Sequence, residues 1–132
     1  MVLAKMKFMN WRLGLKMNNY YSGHLAEYVA LNYMRIKGWR KVAVNYVTGR
    51  GTGAGEIDLI VQKRRTLVFI EVKKRVSIEN AAYAITPKQQ ERIRRAAESF
   101  LALHQQYADF DIRFDAILVK LPLRIVHIEN AF

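Results

Sequence analysis

No cysteine occurs in this chain. Disulfides and Cys-ligated zinc are therefore excluded. No apolar run approaches the ~18 residues that a membrane-spanning helix requires, so no membrane partner is expected. The three histidines, His24, His104 and His127, show no ligand spacing and read as packing or surface residues. Acids are scarce: 11 Asp and Glu stand against 22 Lys and Arg, for a formal charge of +11, and none precedes Glu27. A charge so far from zero on a small protein points to a polyanionic partner, above all nucleic acid. It says nothing of sequence preference, because phosphate contacts position without specifying. What the chain does have is ample apolar material, 52% against 25% charged, which describes a folded globule rather than a disordered one. A chain of 132 residues buries roughly two thirds of its unfolded surface, so a core forms without staples.

The first 19 residues are basic and apolar, with Lys5, Lys7, Arg12 and Lys16. Arg12 and Lys16 interrupt any apolar core, and no small-x-small cleavage site is evident, so a secretory signal is not expected and the cytoplasm is the expected compartment. Residues 1–19 read as a poorly ordered extension and residues 20–132 as one domain. Ser22 is expected to cap a helix from about Gly23 to Lys37 that stops at Gly38. Ala26, Glu27, Ala30, Tyr33 and Met34 share one face of it. Trp39 to Val47 reads as a strand. The glycine-rich stretch from Thr48 to Gly55 lacks both the Walker and the G-x-G-x-x-G spacing. It reads as a loop, although its backbone amides and Arg50 are able to approach a phosphate. Arg75 to Ile85 is a connection with some helical tendency. Thr86-Pro87-Lys88-Gln89 is a capping box with proline in the first turn, opening a helix to about Tyr107 whose outer face carries Arg92, Arg94 and Arg95. Ile112 to Leu121 and Arg124 to Asn130 read as closing strands. No repeat or low-complexity tract interrupts this order.

The chemistry concentrates in two neighbouring apolar segments. Gly55-Glu-Ile-Asp58-Leu-Ile-Val61 and Leu67-Val-Phe-Ile-Glu71-Val-Lys73 are rich in β-branched and aromatic residues and flank the polar stretch Gln62 to Thr66, the pattern of a β-hairpin. In a hairpin centred between Arg64 and Arg65, position 58 lies opposite position 71, where facing Cβ atoms are roughly 4.5–5.5 Å apart. Two carboxylates so close repel unless a proton or a cation sits between them. Lys73 shares the face of Glu71. Val68, Ile70 and Val72 form one face of their strand and Leu67 and Phe69 the other, so the strand is expected to be central and covered on both sides. On the preceding strand, Glu56, Asp58 and Ile60 are expected to face away from Ile57, Leu59 and Val61. Charges at the end of such a strand must be paired or bound to metal.

Magnesium is a hard cation that takes one or two carboxylates and completes its octahedron with waters and substrate phosphate. Asp58 and Glu71 suit that role, and Mn2+ is the alternative ion. Lys73 is placed to position or deprotonate a water or to stabilise a phosphorane-like transition state. The same three residues also fit a salt-bridge cluster at a sheet edge.

The spacing D…E-x-K across a hairpin, preceded by a helical Glu, resembles the PD-(D/E)xK nuclease superfamily, the restriction-endonuclease-like fold. More closely, the chain resembles the YraN family of small bacterial proteins. The matching stretches are Gly23-His-Leu-Ala-Glu27-Tyr-Val-Ala30, Gly55-Glu-Ile-Asp-Leu-Ile60, Val68-Phe-Ile-Glu-Val-Lys73-Lys-Arg75, Lys88, Arg113-Phe-Asp115 and Ala131-Phe132. The resemblance implies an α/β fold: a mixed sheet flanked by helices, in the order helix, three strands, helix, strands. It implies that Asp58 and Glu71 bind the metal, that Glu27 assists them and that Lys73 is catalytic. It also implies phosphate contacts from Lys88 and Gln89, to which Arg50, Lys74 and Arg75 are added as candidate nucleic-acid contacts. Asp115 is assigned to structure, paired with Arg113. No further cofactor is expected. Ile57 stands where the superfamily commonly has proline, and the Gln-x-x-x-Tyr helix signature of its recombination branch is absent.

The leading expectation is a Mg2+- or Mn2+-dependent nuclease acting on DNA in preference to RNA, with branched or damaged DNA as candidate substrates. A homodimer suits the cutting of two strands, although no segment marks an interface. The competing expectations are a non-catalytic nucleic-acid-binding module and an interaction subunit of a larger assembly.

Overall fold

The computed structural model describes residues 19–48, 55–74, 84–120 and 124–132, with side chains from His24 onward. Residues 1–18 of the basic extension, residues 49–54 of the glycine-rich stretch with Arg50, residues 75–83 of the connection that begins at Arg75, and residues 121–123 lie outside the described residues. Helix α1 (Asn19–Ile36) leads to β1 (Arg40–Val47), the hairpin β2 (Glu56–Lys63) and β3 (Thr66–Lys74), helix α2 (Pro87–Leu103), a 3-10 turn at Gln105–Tyr107, and strands β4 (Asp111–Lys120) and β5 (Arg124–Ile128). The strands form one sheet in the order β1-β2-β3-β4-β5. β3 and β4 run parallel and all other neighbours are antiparallel. A parallel pair needs a crossover, and α2 lies in that connection. This is the mixed α/β arrangement of a restriction-endonuclease-like core.

β3 is the central strand. Val68, Ile70 and Val72 pack with Ala26, Ala30 and Met34 of α1, whereas Leu67 and Phe69 pack with Ile93, Ala96, Ala97 and Phe100 of α2. Being covered on both sides explains the unbroken Leu-Val-Phe-Ile run. Phe69 is fully buried and meets Phe100 edge-on, with ring centroids 5.7 Å apart.

Three details depart from expectation. Helix α1 starts at Asn19, a turn before Ser22, because nothing in Asn19-Tyr20-Tyr21 breaks a helix. It closes at Gly38, whose φ of +89° lets the amides of Gly38 and Trp39 reach the carbonyls of Arg35 and Met34. Helix α2 ends at Leu103 rather than near Tyr107. His104 Nδ1 sits 2.7 Å from the Phe100 carbonyl, the acceptor that the His104 amide would otherwise use, and that amide turns to Leu101 instead. The third departure is Ile57, which packs on the α2 side with Ile60, while Leu59 and Val61 face α1. The alternation breaks opposite Asn45 of β1, whose backbone is left-handed (φ 48°), while the pairing of β1 with β2 continues through Ile57 and Glu56. Among the described residues no helix is long and apolar enough to cross a membrane.

Candidate metal and phosphate site

The hairpin has the register that its sequence symmetry requires: Leu59 faces Ile70, Ile60 faces Phe69 and Lys63 faces Thr66 across a two-residue turn. Arg64 in that turn takes a left-handed backbone, φ 53°, and its carbonyl accepts from the Gln62 side chain at 3.2 Å. The ladder stops at Leu59–Ile70, one step short of Asp58 and Glu71. There the Asp58 carboxylate accepts the Val72 N–H at 2.8 Å, standing in for the missing strand carbonyl. Asp58 is thereby directed into the gap between β2 and β3, beside Glu71.

Glu71 and Lys73 share the α2-facing side of β3, with Lys73 Nζ 3.1 Å from Glu71 Oε1 and both side chains largely buried. The Asp58 carboxyl is pushed up to about 8. Burial is the main cause, followed by repulsion from Glu71. The charge of Glu27 and a hydrogen bond with Glu71 add to the effect, against the pull of the Val72 amide. At neutral pH one proton therefore sits where two negative charges would otherwise meet.

These groups open onto a cavity of about 230 Å³ lined by Gly55, Glu56, Asp58, Glu71, Lys73, Gln89, Arg92 and Ile93. It lies at the carboxyl end of β3 and beside the first turns of α2, a place where α/β sheets commonly hold ligands. The α2 capping box forms as expected: Thr86 Oγ1 accepts the Gln89 amide at 3.2 Å and Gln89 Oε1 accepts the Thr86 amide at 3.0 Å.

The candidates from sequence divide accordingly. Asp58, Glu71, Lys73 and Gln89 are brought together. Glu27 does not line the cavity. It acts on Asp58 through its charge, and its carboxylate lies 3.4 Å from His24 Nδ1. Lys74 and Lys88 are exposed and stand outside the cavity lining. Arg50 and Arg75 fall outside the described residues. Two charged lining residues were not singled out as site residues from sequence, Glu56 and Arg92. Arg92 had a legible signal, since it follows Gln89 by three positions and so shares its helix face.

The residues fit a divalent cation of the magnesium type. Among the described residues no three His, Asp or Glu side chains form a cage. Two carboxylates that need a positive partner, beside room for waters and a phosphate, are the donor set that magnesium accepts.

The other buried acid serves the fold. Asp115 is fully buried and takes two hydrogen bonds from the Arg113 guanidinium at 2.8 Å, one from the Asn130 amide at 3.1 Å and one from His127 Nε2 at 2.7 Å. Despite burial, these donors hold its carboxyl below the usual range. Arg113 also lies over the Trp39 ring. The pairing with Arg113 is as expected, and His127 is a packing residue, as its lack of ligand spacing suggested.

The sequence profile of Uncharacterised protein family UPF0102 matches residues 26–119, from α1 through β4. A UPF0102 protein of Bradyrhizobium diazoefficiens is 44% identical over 111 residues, covering 84% of this chain and 80% of its own. One from Rhodopseudomonas palustris strain BisB18 is 43% identical with 84% and 79% covered, and one from Paramagnetospirillum magneticum is 40% identical with 83% and 85% covered. With the profile spanning most of the chain and relatives of this similarity along its length, the chain belongs to the UPF0102 family, the YraN-like proteins that its motifs resemble.

Proposed function

We propose that this protein is a Mg2+- or Mn2+-dependent nuclease that hydrolyses phosphodiester bonds of DNA, with branched or damaged DNA as its substrates. The observation that carries the reading is the Asp58–Glu71 pair, two carboxyls pressed together in a polar cavity with Lys73 at 3.1 Å. A proton holds them together at neutral pH, and a divalent cation would take its place. The resemblance to the PD-(D/E)xK superfamily supports the same assignment.

Asp58 and Glu71 would hold the ion, with Glu27 adding negative charge from α1. Such an ion, when bound, activates water and neutralises charge on the scissile phosphate. Asp58 would have to give up its proton to hold such an ion, and the Val72 amide keeps its carboxyl oriented. Lys73 is held by Glu71 against the cavity wall, where its ammonium orients the attacking water and stabilises charge that develops on the phosphate. Lys74 and Lys88 lie on exposed flanks along which a strand would run, in keeping with the charge of +11.

The test is cleavage of labelled single-stranded, duplex, flap and four-way-junction DNA, with and without Mn2+, by wild type beside Glu71→Ala. Metal-dependent cutting that the variant loses is the expected result. No cutting by either protein, with salt-sensitive binding by both, would replace the nuclease reading with that of a non-catalytic binding module.

A further inference from the structure

Helix α2 carries three arginines within four positions, and the structure gives them different surroundings. Arg95 is paired with Glu91 one turn back. Arg94 lies over the rings of Phe114 and Phe132, 5.9 and 5.6 Å from their centroids. Arg92 lines the cavity that holds Asp58, Glu71 and Lys73, and among the described residues no acid is within ion-pair distance of it. A guanidinium beside an acidic cavity, yet paired with none of its acids, is set to meet an anion there.

Its placement is fixed by the backbone. A β-carbon at residue 55 would come within 3.4 Å of the Arg92 Cβ, so α2 sits directly against the main chain of Gly55. The Gly55 carbonyl is itself held by the hydroxyl of buried Thr48 at 3.3 Å. One turn earlier, the capping box occupies Gln89 Oε1 with the Thr86 amide and leaves the amide nitrogen as the donor end of that side chain. The cavity thus has two halves of opposite character. Asp58, Glu71 and Glu56 suit a cation, and Arg92, Gln89 and Lys73 offer only donors to an anion.

Building on the nuclease reading, we propose that Arg92, with Gln89 beside it, is the phosphate anchor of the site, gripping a backbone phosphate of the nucleic acid next to the metal-binding carboxylates. Guanidinium is the group suited to it, because its planar fork meets two phosphate oxygens at once. Phosphate contact carries no base information, so the anchor sets where along the backbone the strand is held and not which sequence is chosen.

The test is equilibrium binding of a fluorescein-labelled four-way junction, read by anisotropy in Ca2+ over a range of salt, for wild type, Arg92→Gln, Arg92→Lys and Arg95→Gln. Circular dichroism of each variant confirms the fold. The expected result is a five- to tenfold loss of affinity in Arg92→Gln, with a salt slope shallower by about one. Arg92→Lys should recover less than half of the loss, and Arg95→Gln should match wild type. Binding by Arg92→Gln that equals that of Arg95→Gln, with the same slope, overturns the assignment, as does a wild type that does not bind. Cleavage in Mn2+ separates the two readings. A wild type that binds through Arg92 but cuts nothing keeps the anchor and removes the nuclease, whereas cutting and binding unaffected by Arg92→Gln do the reverse.

Discussion

Replacing Asp58 by asparagine should make the protein more stable, and more so as pH rises. Asparagine keeps an oxygen for the Val72 amide, now 2.8 Å from the carboxylate, and keeps a donor for Glu71, but it cannot ionise. The Asp58 carboxyl stands at about 8 in the folded chain against an ordinary 3.8. A group raised in this way stabilises the fold fully below pH 3.8, and that contribution drains away as pH rises towards 8, because the unfolded chain releases a proton that the folded chain must keep. At ~1.4 kcal/mol per tenfold change in equilibrium, the ceiling on the loss between pH 4 and pH 8 is about 5 kcal/mol. The carboxyl borders an open, polar cavity, where the effective dielectric is well above that of a dry interior, so we expect about half of this, ~2–3 kcal/mol. Urea unfolding followed by circular dichroism, in chelator at pH 4 and pH 8, reads the difference. Asp58→Asn should match wild type at pH 4 and exceed it at pH 8. Adding Mn2+ at pH 8 should stabilise wild type and leave the variant little changed. A variant less stable than wild type at pH 8, or one whose gain does not vary with pH, would refute the electrostatic account.

Other outcomes follow from the same geometry. At fixed Mn2+ below saturation, cleavage should rise with pH up to about 8 and then level, since the ion must displace the Asp58 proton; a flat profile from pH 6 to 9 contradicts this. Lys73→Ala should leave the melting temperature within a few degrees and lower kcat by ~10²-fold or more, measured by single-turnover cleavage. Asp115→Ala should destabilise by ~3–5 kcal/mol, because it strands the Arg113 guanidinium without its buried partner. The Asp115 carboxyl is held low, so its stabilisation is complete above pH 3.8 and disappears as pH falls further; the gap between variant and wild type should narrow in acid. Arg64→Gly should add ~0.5–1 kcal/mol by removing the strain of a left-handed non-glycine residue, seen as a higher urea midpoint.

Much of the site was legible because its constraints are local. The Asp58–Glu71 pairing follows from the length of one hairpin and the alternation within two strands, and the α2 start follows from four residues. The rest depends on partners remote in sequence or on competition that propensity does not register. The end of α2 is decided by the His104 ring taking the Phe100 carbonyl. The role of Arg92 emerges only when Phe114 and Phe132 claim Arg94. Arg113 beside Asp115 is an i, i+2 pair on one strand face, but the His127 and Asn130 donors arrive from beyond β4. The position of Ile57 could not be foreseen from strand alternation, since the alternation breaks opposite Asn45 of β1, whose left-handed backbone (φ 48°) no strand pattern announces.

The halted ladder also bears on how this hairpin tolerates insertions. Asp58 and Glu71 are placed by counting from the turn, so each strand works as a measured arm. An extra residue between Lys63 and Thr66 is absorbed as a longer loop, because the flanking pairs hold their partners. An extra residue within Leu59 to Gln62 or within Leu67 to Ile70 must instead make a bulge with one residue unpaired, or a slip that turns the residues beyond it, one of the acids included, to the opposite face of the sheet. Single-residue insertions in either arm should therefore fold poorly or fold without the site.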